Sequence, residues 1–193
     1  MMHYRLNKPI LAAEKSIILG IDPGSCITGY GLIQIESSQL TYLDSGCIKV
    51  ANSPFAERLE KIFTGLQQVV NQYQPSEVAI EQVFFHINPN AALKLGQARG
   101  AALVAVACAK LLVSEYSARQ VKKSVVGYGA ANKQQVQHMV RVLLNLSSTP
   151  TADAADALAI AVCHAQVRQS GGIRLGFRRG RRRRRGATRE GLG

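Results

Sequence analysis

Nowhere in the chain does a Cys-X-X-Cys pair occur. Cys26, Cys47, Cys108 and Cys163 stand far apart, which excludes the usual zinc spacings and thiol redox motifs and fits the reduced thiols of a cytoplasmic protein. Long apolar runs are missing too. The longest, Gly100 to Ala109, is closed by Lys110 and falls well short of the roughly 20 residues that a membrane span needs, so no span is expected. Pro9 to Ala13 is likewise too short for the apolar region of a secretory signal. No Gly-X-X-X-X-Gly-Lys-[Ser/Thr] loop is present, and Gly29-Tyr30-Gly31 is too short to cradle a nucleotide. Acidic residues are scarce: 12 Asp and Glu face 24 Lys and Arg, a net charge of +12. The excess is local, because residues 168–193 hold ten Arg and one Glu. A nearly balanced globular part with a basic tail points to a polyanionic partner, nucleic acid before an acidic membrane surface.

What is present suits one compact domain. The chain has 193 residues, 47% of them hydrophobic, enough to bury a core without disulfides or a structural metal. Residues 1–15 read as a loose extension, 16–168 as the folded domain and 169–193 as an Arg-rich tail too polar and Gly-rich to pack. Ser16 to Ile21, Gly29 to Ile35 and Leu40 to Val50 read as strands in antiparallel hairpins. Ser53 and Pro54 open a helix of about five turns that stops before Pro75. Glu77 to Val83 is strand-like, Ala91 to Leu112 a long Ala-rich helix that must be covered, and Leu112 to Tyr116 a further core strand. A short helix over Gln120 to Val126, a break at Gly127-Tyr128-Gly129, and helices over Lys133 to Leu144 and Ala152 to Arg168 complete the domain. Clustered strands followed by alternating strands and helices predict an α/β fold, a mixed β-sheet flanked by α-helices.

Four acids stand where acids are unwelcome. Asp22 ends the first buried strand, Glu81 follows Val78-Ala79-Ile80 in a core strand, and Asp153 and Asp156 share one face of an apolar helix at i, i+3. Each has a plain alternative taken singly: a turn residue, a strand-end ion pair, a helix N-terminal charge. Jointly these weaken, because three separate core segments each present an acid. Carboxylates gathered without counter-charge raise one another's pKa and strain the fold. A divalent cation resolves that conflict. Mg²⁺ takes hard oxygen ligands, and four carboxylates can hold a pair of ions about 3.5 to 4 Å apart, activating a nucleophile and stabilising the leaving oxygen at a phosphodiester.

Five segments carry a resemblance: Ile18-Leu19-Gly20-Ile21-Asp22-Pro23-Gly24-Ser25, Ala79-Ile80-Glu81-Gln82-Val83-Phe84, Ala92-Leu93-Lys94-Leu95-Gly96-Gln97-Ala98-Arg99-Gly100, Ala118-Arg119-Gln120-Val121-Lys122, and Ala152-Asp153-Ala154-Ala155-Asp156-Ala157-Leu158-Ala159. In order and over residues 16 to 166 they resemble the signature segments of the RuvC family of bacterial Holliday-junction resolvases. The resemblance implies a ribonuclease H-like fold, a homodimer, and Mg²⁺ dependence with two ions per site and Mn²⁺ as a substitute. It further implies paired nicks in two strands of four-way junction DNA during recombination and repair. Asp22, Glu81, Asp153 and Asp156 match the family's catalytic metal ligands, the same set the burial of acids had singled out. Phe84 matches an aromatic that stacks on an unpaired base near the crossover. Lys122 and Lys133 match basic positions near the scissile phosphate and backbone. Lys94, Arg99 and Arg119 are further candidates for DNA contact, with solvated helix charges as the alternative. The branch-migration proteins RuvA and RuvB are the partners implied.

Two departures stand out. Ala91 replaces the family's usual Ser, with Pro89 stiffening the loop before it, and the tail with Arg181 to Arg185 in one row is longer and more basic than the family's ending. His86, His138 and His164 have no metal-ligand spacing. Competing readings are a related ribonuclease H-like nuclease acting on RNA or RNA/DNA hybrid, and a DNA-binding module whose acids are structural.

Overall fold

Period-two alternation places the side chains of the first strand, Ser16–Asp22 (β1), on two different faces. Ile18 enters one apolar cluster, while Leu19 and Ile21 enter another on the opposite side. The same alternation runs through Ile27–Glu36 (β2), where Ile33 and Ile35 join the first cluster and Leu32 the second. In Glu77–Glu81 (β4), Ala79 joins the first cluster, and Val78 and Ile80 the second. A sheet apolar on both faces must be covered on both. The computed structural model, which describes residues 15–83 and 88–171, supplies both covers.

Gln39–Lys49 (β3) and Leu112–Tyr116 (β5) complete a five-stranded sheet of order β3-β2-β1-β4-β5. β1, β2 and β3 are antiparallel neighbours, as the short polar links predict. β4 runs parallel to β1, and β5 parallel to β4. Helices Phe55–Tyr73 (α1) and Pro89–Cys108 (α2) cover one face. Ala118–Val126 (α3), Lys133–Leu143 (α4) and Ala152–Gln169 (α5) cover the other. Ser117 with Gln120 and Asn132 with Gln135 form capping boxes that start α3 and α4, each satisfying a helix N–H and an N-cap N–H together.

The mixed α/β sheet flanked by helices is as expected from the sequence, with boundaries to correct: the strand from Glu77 stops at Glu81 rather than Val83, and the Ala-rich helix starts at Pro89 rather than Ala91. The Ala-rich helix ends at Cys108 rather than at Leu112. Lys110 adopts φ 58, the left-handed conformation that closes helices. Leu111, Leu112 and Val113 resume the apolar character directly after that single charge, so hydropathy alone does not mark the helix end. By length and composition α2 is also apolar enough to cross a membrane. Ala98, Ala102, Ala105 and Val106 are buried on its inner face, whereas Leu93 and Val104 are 64% and 54% exposed.

α5 fixes the site. Its backbone crosses β1 and β2 in close contact, because Gly20 and Gly29 have no Cβ where Ala157 and Asp153 carry their carbonyls. Its far end is tied down by a set of buried and half-buried polar groups. His164, with no metal spacing in the sequence, pairs Nε2 with Glu77 at 2.9 Å and Nδ1 with the Tyr116 hydroxyl at 2.8 Å, while Arg168 bridges Glu77 and Ser16. Most of the expected N-terminal extension, most of the Arg-rich tail, and Phe84 lie outside the described residues.

Candidate active site

β1 and β4 are parallel neighbours, and their last paired residues are Ile21 and Ile80. One residue further on come Asp22 and Glu81, which therefore sit side by side at the carboxyl edge of the sheet. Alternation also sets their direction. Asp22 shares the face of Ile18 and Gly20, and Glu81 that of Ala79, so both carboxylates point toward the α3–α5 layer. α5 brings its N-terminal turn to the same edge, since the Asp153 carbonyl packs on Gly29 opposite Asp22 in the β1–β2 register. Asp153 and Asp156, three residues apart, then project from one side of that helix.

Asp22, Glu81 and Asp156 line a cleft of about 250 Å³ together with Lys122 of α3, Lys133 of α4, and the apolar Ala118, Val121, Val136 and Ile160. Asp153 is not part of that lining, yet it is close enough for its charge to act on both Asp22 and Asp156. The apolar walls matter because they strip water from the carboxylates. Burial, then the charges of Glu81 and Asp156, push the Asp22 carboxyl from the ordinary carboxylate range up to about 8. Glu81 and Asp156 are also raised, first by burial. Lys122 and Lys133 oppose the rise at both, and Lys133 Nζ lies 3.5 Å from Asp156 Oδ2. The close approach of Asp22 and Glu81 acts on them in opposite senses, adding to the rise at Asp22 and working against it at Glu81.

Such a donor set fits a hard divalent cation: carboxylate oxygens from three elements, desolvated and held against their mutual repulsion. Among the described residues no group of three or more His, Cys, Asp or Glu side chains is drawn close enough to hold an ion as the side chains stand. Burial and mutual charge raise Asp22, Glu81 and Asp156, and Lys133 partly offsets the charge of Asp156. A cation would neutralise the whole cluster. The four cysteines are unpaired.

The other sequence candidates divide. Lys122 and Lys133 are in the cleft. Arg119 and Lys94 are exposed on α3 and α2, free of ion pairs among the described residues. Arg99 turns inward: its Nε donates to the Glu81 carbonyl at 3.3 Å and its Nη2 pairs with Glu115 at 2.8 Å. That arrangement was not foreseen from the sequence, nor was the use of Gly20 and Gly29 to seat α5. A signal for the latter existed, since a glycine inside a strand often marks the close approach of another backbone.

A mixed sheet of this order, with acids at the ends of two parallel strands and on the helix crossing them, defines a nuclease of the ribonuclease H-like class. The family model described as crossover junction endodeoxyribonuclease RuvC matches residues 18–164. The chain is 64% identical over 155 residues to the RuvC of Marinobacter nauticus, covering 80% of this chain and 89% of that one. It is 54% identical over 170 residues to that of Legionella pneumophila, covering 88% and 98%. The structure of Thermus thermophilus RuvC in complex with Holliday junction substrate superposes with a TM-score of 0.76 at 35% identity, covering 81% of this chain and 97% of that one. The chain belongs to the RuvC family of crossover junction endodeoxyribonucleases, divalent-metal-dependent enzymes that resolve Holliday junctions.

Proposed function

We propose that this chain resolves four-way DNA junctions by nicking two strands at paired sites, with Asp22, Glu81, Asp153 and Asp156 as the ligands of two Mg²⁺ ions per site and Mn²⁺ as a substitute. The observation that carries the site is the convergence of Asp22, Glu81 and Asp156 in one cleft whose burial and mutual charge hold Asp22 up to about 8. Spending fold stability on such a cluster makes physical sense when a cation occupies it. When bound, the cations supply positive charge against the phosphate and the leaving oxygen. The protein's own part is to orient and to exclude water. β1 and β4 fix Asp22 and Glu81 in register, α5 presents Asp153 and Asp156 across them, and Val121, Val136 and Ile160 keep the cleft dry. Lys122 and Lys133 meet the phosphate backbone beside the scissile bond, Arg119 and Lys94 more remote phosphates, and Phe84 an unpaired base at the crossover.

The exposed Leu93 and Val104 on α2 support a homodimer formed through that helix, which sets two cleavage sites across one junction. The junction would arrive from RuvA and RuvB, in the cytoplasm where the chromosome is accessible. The Arg-rich tail adds sequence-independent attraction to DNA. Cleavage of a synthetic four-way junction is compared with that of linear duplex and RNA/DNA hybrid at equal Mg²⁺. Selective, paired cleavage of the junction is expected. Preferred cleavage of the hybrid would favour a ribonuclease, and binding without cleavage a non-catalytic module.

A further inference from the structure

Arg99 and Glu81 meet in an unexpected way. The alternation that sends the Glu81 carboxylate toward α5 leaves its peptide accessible from the α1–α2 side, and α2 approaches there. Glu115 is one residue before Tyr116, whose side chain joins the α5-face cluster, so Glu115 lies on the α2 face as well. Arg99, only 19% exposed, is clamped between them, Nε on the Glu81 carbonyl and Nη2 on the Glu115 carboxylate. A planar guanidinium held at both ends is a rigid strut.

The strut stands where the sheet weakens. Pairing of β4 with β1 ends at Ile21 and Ile80, while pairing with β5 reaches Glu81 and Tyr116 and is followed by the Gln82 N–H to Tyr116 carbonyl bond at 2.8 Å. Glu81 is thus the last residue of β4, held by the ladder on the β5 side, with Arg99 as its hold from α2. From this the geometry points to Arg99 as a positioning residue for Glu81, fixing the height of its carboxylate in the cleft through the main chain and tying that height to the seat of α2. It rests on Glu81 being a metal ligand. Contact with DNA phosphate is the other use of an Arg in this helix, and two of the three guanidinium nitrogens, Nε and Nη2, are already engaged within the protein.

The two uses give opposite results. Full-length protein is measured for junction Kd at several salt concentrations without divalent metal, and for single-turnover cleavage across a Mg²⁺ titration. For Arg99→Met, cleavage should fall by about tenfold or more, a scale that a misplacement of under 1 Å in a reacting group can produce. Half-maximal Mg²⁺ should rise, with Kd and salt slope unchanged. Arg99→Lys should behave similarly, because an ammonium cannot reproduce the fork, and it retains the charge if the Met variant folds poorly. Glu115→Gln should move the Mg²⁺ midpoint in the same direction by a smaller amount. A weaker Kd with a salt slope shallower by about one phosphate's worth, roughly 0.9, at an unchanged rate would overturn the assignment in favour of DNA contact. Tighter binding and unimpaired cleavage in Glu115→Gln would do the same. A lower melting temperature with unchanged rate and Mg²⁺ midpoint would reduce Arg99 to a structural role. Glu81→Gln is carried in parallel: if it still cleaves, the ligand assignment of Glu81 has failed, whereas its inactivity beside fully active Arg99 variants isolates the failure to the strut.

Discussion

The backbone carbonyl of Asp153 occupies the space that a Cβ on Gly29 would need. The contact is backbone against backbone, so no side chain can swing away to make room. It sets how near α5 comes to β2, and with it the distance from Asp153 and Asp156 to Asp22.

Gly29→Ala should therefore lift the first turn of α5 from the sheet. Overpacking of this kind costs about 1 to 3 kcal/mol, and the loss of cleavage should exceed what that fraction of unfolding explains. Single-turnover rate on folded protein, with circular dichroism to measure that fraction, checks this. A Gly29→Ala protein with native rate and native melting temperature would show that α5 seats elsewhere.

Replacing one acid at a time, Asp22→Asn, Glu81→Gln, Asp153→Asn and Asp156→Asn, should cut nicking by roughly 10²- to 10³-fold or more, the scale of removing one group that handles developing charge. Junction binding should be kept or tightened, since a negative charge near phosphate is gone. Gel-shift and cleavage assays on the same junction separate the two effects. Retained cleavage in any two variants contradicts the assignment.

Metal-free stability should fall as pH rises. Asp22 is raised in the folded state from 3.8 to about 8, so between those values the unfolded chain has lost a proton that the folded chain keeps. Fewer protons bound in the unfolded state means a negative slope of stability against pH; the penalty is absent below 3.8, grows through the window and is complete above about 8. Thermal melts in EDTA from pH 5 to 8.5 should show this decline, and Asp22→Asn should flatten it and raise the melting temperature at pH 8. Saturating Mg²⁺ should remove most of the difference.

Lys133→Ala should shift the pH–rate profile. Lys133 lowers the pKa of Asp156 and Glu81, so its loss lets burial push both further up. The carboxylates then lose their protons at higher pH, and the rising limb of the rate moves to the alkaline side. Log rate measured from pH 6 to 9 at fixed Mg²⁺ reads the shift; an unmoved limb with a uniformly lower rate would make Lys133 a phosphate contact alone.

Deletion of residues 172–193 removes nine of the ten tail Arg while leaving Ser170, whose N–H and hydroxyl bond to the Gln166 carbonyl at the end of α5. Binding to duplex and junction should weaken together, the salt slope should flatten by roughly 0.9 for each phosphate no longer engaged, and relative preference for the junction should rise. Titrations at three salt concentrations decide it. An unchanged slope would refute the polycation role.

Much of the site was legible because acids in apolar segments are costly and therefore informative. Asp22 and Glu81 each followed a run of buried aliphatics, and Asp153 and Asp156 had helical spacing within an Ala-rich stretch. The end of α2 was not legible, since apolar residues resume at Leu111 directly after Lys110 and it is the left-handed backbone of Lys110 that marks the break. Arg99 was legible as a cation but not in its direction. A long flexible side chain on a helix can reach solvent or turn back, and which it does depends on acceptors from elements distant in sequence, here Glu81 and Glu115.

By itself the sequence determined the element types, the two-faced sheet, the four acids and the family, because alternation, helical period and the cost of a buried charge are local properties of the chain. Only the tertiary structure decided that β4 lies parallel to β1 with Ile80 against Ile21, that α5 closes onto Gly20 and Gly29, and that Arg99 braces Glu81 from behind. Those are matters of register and approach between segments tens of residues apart. No local periodicity encodes them; they are settled when two apolar faces and a set of backbone contacts can be satisfied in one packing.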